Sequence, residues 1–76
     1  MQKYSLKSLI TQANDLVREY KRGDRLSALT IQALREYREL AKDVLRNPYK
    51  TELDMLRAAY NLLVAISDAK EEIRNK

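Results

Sequence analysis

The 76-residue chain has no cysteine, histidine, tryptophan or phenylalanine, and only one glycine (Gly23) and one proline (Pro48). Each absence excludes something. Without cysteine there is no disulfide and no thiolate metal site, so the core must rest on packing alone or be enlarged by a partner chain. Without histidine or cysteine the commonest general bases and nucleophiles are missing, and Ser5, Ser8, Ser27 and Ser67 have no imidazole to activate them. Ser5 and Ser8 fit better as N-terminal helix caps. A single glycine cannot build a phosphate-cradling loop. Asp68, Glu71 and Glu72 lack the inward Glu-x-x-His spacing of a metal site in a helical bundle.

This inventory points away from an enzyme and from any metal, cofactor or small-molecule substrate. The longest nearly unbroken apolar run, Ala58 to Ile66, is about half of the ~20 residues that span a bilayer. The N-terminal residues carry no apolar signal core, so a cytoplasmic protein with no membrane role is expected.

What the chain does contain is helix-forming material. Charged residues make up 34% of it, and Ala, Leu, Arg, Lys and Glu, which lose little rotamer freedom in a helix, are abundant. A chain this short buries only about 60% of the surface its unfolded form exposes, which limits it to one domain, residues 1–76.

Gly23 and the Asn47-Pro48 pair divide the chain into three segments with apolar residues spaced three and four apart, which predicts an antiparallel three-helix bundle. The helices are expected at roughly 5–22, 25–46 and 50–74. In helix 1, Leu6, Leu9, Ile10, Ala13, Leu16, Val17 and Tyr20 share one arc. Lys21 and Arg22 suit its last turn, and Gly23 its termination. Asp24 is placed to cap helix 2, whose core face reads Leu26, Leu29, Ala33, Tyr37, Leu40 and Val44, widened by Leu34, Ala41 and Leu45. Thr51 with Asp54 resembles a capping box opening helix 3, with Pro48 at the first helical position as the alternative start.

Helix 3 differs from the other two. Met55, Ala59, Leu62, Ile66, Ala69 and Ile73 form one stripe, while Leu53, Leu56, Tyr60, Leu63 and Val64 continue round the next face. Its polar side is a narrow strip through Asp54, Arg57, Asn61, Asp68 and Glu72. Unless helices 1 and 2 cover both stripes, the second one is shared with another molecule, which predicts self-association or a stable protein partner. Tyr60 beside Leu56 and Leu63 suits a contact anchor, since interfaces enrich tyrosine.

The net charge of +4 is unevenly arranged. On helix 2, Arg35, Arg38, Lys42 and Arg46 line one strip and Glu36, Glu39 and Asp43 the next. The spacing predicts Arg35–Glu39, Glu39–Lys42 and Asp43–Arg46 pairs on a solvated face, with Ile31 projecting near the basic strip. On helix 1, Lys3, Lys7, Arg18 and Lys21 share an acid-free flank with Asn14, and Arg22 and Arg25 bracket the turn that follows. Such a row suits a phosphate backbone, although no aromatic residue is interleaved to stack bases.

Two functional classes remain. The first is a non-enzymatic protein-protein interaction module of adaptor, assembly-factor or inhibitor type that forms a dimer or other homo-oligomer. The alternative is a nucleic-acid-binding module that uses the basic flank of helix 1 and the turn between helices 1 and 2, through Lys3, Lys7, Arg18, Lys21, Arg22 and Arg25.

Overall fold

A computed structural model describes the backbone of residues 3–20 and 26–75 and the side chains of residues 6–19 and 26–75. The helices are α1 (Lys3–Tyr20), α2 (Ala28–Arg46) and α3 (Glu52–Arg74). Each packs on the other two around a shared apolar core, within an envelope of 40 × 18 × 17 Å. Arg18 and Asn14 near the end of α1 meet Arg35 and Arg38 of α2 while Lys7 near its start meets Lys42 and Arg46, and Ser27 and Thr30 at the start of α2 meet Glu72 near the end of α3. Consecutive helices therefore run antiparallel, and the molecule is an antiparallel three-helix bundle.

The start of α1 differs from expectation. The helix begins at Lys3, so Ser5 and Ser8 lie inside it and do not cap it. A helical side chain lies back over the turn that precedes its own Cα. Complete burial of Leu6 therefore requires the turn holding Ser5 to be wound already. From α1 the core takes Leu6, Ile10, Ala13 and Val17, with Leu9 and Leu16 packed at its edge.

The start of α2 is also corrected. Leu26 and Ser27 precede the helix, and Ser27 is its N-cap, its Oγ accepting the Thr30 backbone N–H at 3.2 Å. Leu26 at N′ is buried and Ile31 at N4 packs on the core, which are the two positions of a hydrophobic staple. Ile31 is only partly buried, packing on the edge of the core on the same side of α2 as Arg38 seven residues on. Gly23 and Asp24, read as terminator and cap, lie outside the described residues.

Glu72 strengthens this helix start. Its carboxylate accepts the Ser27 backbone N–H and the Thr30 hydroxyl, the latter at 2.6 Å, placing negative charge at the positive end of α2.

The largest correction concerns which side of α2 faces the core. Leu34, Ala41 and Val44 are buried, and Tyr37 and Leu45 pack against them. Leu29 and Leu40, expected inside, are 79% and 55% exposed, and Ala33 is half-buried between the two sides. The helix carries two adjacent apolar stripes and is rotated so that the Leu34–Ala41 stripe points inward. This rotation delivers Thr30 to Glu72 on one flank and Arg38 to Asn14 on the other, so polar groups at the core's margin find partners.

Asn47 ends α2. It has extended geometry, as the residue before a proline should, and its Oδ1 accepts the Tyr49 N–H at 2.9 Å. The capping box then opens α3. Thr51 Oγ1 accepts the Asp54 N–H at 3.2 Å, and Asp54 Oδ2 accepts the Thr51 N–H at 3.0 Å. Pro48 lies in the preceding turn and not in the helix. The stripe Ala59, Leu62, Ile66 and Ala69 is buried together with Ala58 and Ala65, while Met55 and Ile73 pack on its ends.

Two outcomes follow from this packing. Leu34→Ala should destabilise the fold by about 2–5 kcal/mol, whereas Leu29→Ala should change stability by no more than about 0.5 kcal/mol. Urea unfolding followed by helical circular dichroism separates the two, and equal losses would place the wrong stripe in the core. The hydrogen bond from the Thr51 backbone N–H holds the Asp54 carboxyl below the ordinary aspartate range, with Lys50 and Arg57 adding to the effect. Because the native value is the lowered one, the cap's contribution is complete above about pH 3.9 and is lost as pH falls through that native value. An NMR titration of Asp54 should show a midpoint below that of free aspartate, with the first turn of α3 fraying as it protonates.

Candidate interaction surfaces

The second apolar stripe of α3 lies outside the core. Leu53, Leu56, Tyr60, Leu63 and Val64 are all exposed, from 41% at Val64 to 67% at Tyr60. Helices α1 and α2 take up the opposite side of α3 and leave this one uncovered. From Leu53 to Val64 the strip runs for about 17 Å along the helix. Isolated exposed leucines are ordinary, but five large apolar side chains on one flank of a small protein form a contiguous patch. None of the five is ionisable except the tyrosine. Leu29, Leu40 and Tyr49 are the other large apolar residues left exposed among those described.

The basic residues converge elsewhere. Lys7 and Arg18 are exposed on the flank of α1 that faces α2. The side chain of Lys3, and Lys21, Arg22 and Arg25 entirely, lie outside the described residues. Arg38 lies across the helix interface with its side chain only 21% exposed, and its Nη1 donates to Asn14 Oδ1 at 3.0 Å. This contact sets the register between the two helices. Asn14, Val17 and Arg18 then face Arg35 and Arg38 across a concavity of about 330 Å³. Further along, Lys7 faces Lys42, Leu45 and Arg46 across a second of about 300 Å³.

The ion pairs on α2 differ from those its spacing predicts. Glu39 Oε2 lies 3.5 Å from Lys42 Nζ, as expected, but its other partner is Arg38 Nε at 3.4 Å and not Arg35. That approach lacks hydrogen-bond alignment, leaving Arg38 Nε buried without an acceptor. Asp43 and Arg46 do not pair. Arg18 and Arg35 have no ion-pair partner among the described residues.

Sequence reasoning treated the α1 flank and the α2 strip as separate features. The missing signal was their register, which an antiparallel hairpin supplies only once the α1–α2 contact is located.

Among the described residues, no three His, Cys, Asp or Glu side chains come together to hold a metal ion. No described helix is long and apolar enough to cross a membrane. The fold is thus a small helical bundle with an apolar face on α3 and a basic groove between α1 and α2. No family model, curated protein or solved structure matches the chain.

Proposed function

We propose that this chain is a non-enzymatic interaction module, of adaptor, assembly-factor or inhibitor type, that presents the outer face of α3 preformed and pairs through it with a second copy of itself. The observation that carries this reading is the exposure of Leu53, Leu56, Tyr60, Leu63 and Val64 together on one helix flank. Water-exposed apolar area of this kind is stabilised by burial at about 25 cal/mol per Å².

A second copy is the favoured occupant because a straight apolar strip on one helix is self-complementary under a two-fold axis. Two α3 strips laid antiparallel bring like surface against like surface. Tyr60, near the middle of the strip, is the natural anchor, with a large rigid ring and a hydroxyl that can reach the rim. A 76-residue chain without disulfides also gains most from enlarging its core through a neighbour.

Light scattering after size exclusion tests this. The 8.9 kDa chain should elute at twice its mass at micromolar concentration, and Tyr60→Glu should return it to the monomer with its helical circular dichroism intact. Leu29→Glu, on the outer side of α2, should leave the assembly unchanged. A wild-type chain that stays monomeric throughout would overturn self-pairing.

A further inference from the structure

The α1–α2 groove carries a second inference, independent of the α3 face. In a three-helix bundle the outer groove between two helices points away from the third, so the two surfaces can be occupied together. From α1 come Lys7 and Arg18, and from α2 come Arg35, Arg38, Lys42 and Arg46, lining the two concavities at either end. Glu39, beside them on α2, is already engaged by Arg38 and Lys42, and Glu36, Glu39 and Asp43 line a separate depression that Arg35 also borders. Arg18 and Arg35 face one another across the first concavity with no ion-pair partner among the described residues. Arg38 beside them is held in place by Asn14. The Arg18 and Arg35 guanidinium groups, neither of them ion-paired among the described residues, repel one another across the concavity, and an oxyanion placed between them relieves that repulsion.

We propose that this groove binds the phosphodiester backbone of a nucleic-acid duplex, without reading its bases. Length and chemistry both favour such a ligand over a compact anion. Lys7 and Arg18 lie about 17 Å apart along α1, as do Arg35 and Arg46 along α2, whereas a duplex carries one charge per about 1.7 Å of its axis. One isolated phosphate reaches the cations of one concavity at most, whereas a continuous backbone spans both. Four of the six cations are arginines, whose planar forks match phosphate oxygens in bidentate fashion. The apolar lining of the two concavities is Val17 and Leu45 alone, which offers a protein partner no aromatic anchor and nucleic-acid bases no stacking platform.

The test is fluorescence anisotropy of the full chain with a labelled DNA duplex and an RNA duplex across a salt series. Binding at low salt should weaken with a log–log slope of about −4 to −5, at about −0.9 per phosphate contact. The double variant Arg18→Gln/Arg35→Gln removes two contacts from exposed positions. It should weaken binding about tenfold or more and reduce the slope to about −2 to −3, with helical circular dichroism unchanged. Absence of binding to either duplex at low salt would overturn the proposal, as would binding that the double variant leaves intact. Displacement of the duplex by an equal charge of polyglutamate as readily as by unlabelled duplex would overturn it in favour of an acidic protein ligand. Tyr60→Glu should leave duplex binding by each chain in place, so failure of self-pairing and failure of this site are distinguishable.

Discussion

The rotation of α2 about its own axis constrains everything else in this bundle. With Leu34, Ala41 and Val44 turned inward, the helix buries one full stripe against α1 and α3. The same rotation carries Thr30 to the Glu72 carboxylate and Arg38 to the Asn14 amide, on opposite flanks of that stripe. It also exposes Leu29 and Leu40 and aligns the basic strip of α2 with the cationic flank of α1. One packing decision, worth several kcal/mol through its leucines and alanines, therefore fixes both the polar cross-links and the charge of the outer groove.

Helix α3 shows how a small core divides its resources. Four alanines, Ala58, Ala59, Ala65 and Ala69, are buried on the inner side around Leu62 and Ile66. Small side chains allow close approach but contribute little apolar area each. The larger Leu53, Leu56, Tyr60 and Leu63 sit outside, where about half or more of the surface of most of them faces water. A sequence that places its bulk on the solvent side of a helix has material for an interface there, and this arrangement underlies the proposed self-pairing.

Charge is partitioned in the same manner. The outer face of α3 has no ionised side chain among its five apolar members. The two α1–α2 concavities gather six cations and no carboxylate on their walls, while Glu36, Glu39 and Asp43 line a separate depression that Arg35 also borders. The two proposed contacts would draw on different physics, self-pairing on water release with little dependence on salt and duplex binding on counterion release that salt weakens. They lie on different sides of the bundle.

Local information in the sequence determined a good deal. The three-helix count, the ends at Asn47 and Thr51 with the Thr51–Asp54 capping box, and the two-sided apolar character of α3 all follow from periodicity and end signals that act within a few residues. The tertiary structure alone decided which of two adjacent stripes of α2 faces inward, that Glu72 supports the Ser27 cap, and that Arg38 reaches Asn14. Those choices depend on partners 24 to 45 residues away for Asn14–Arg38 and Ser27–Glu72, and a helical wheel carries no record of them. A wheel shows which residues share a face, and only packing between helices selects the face that is buried.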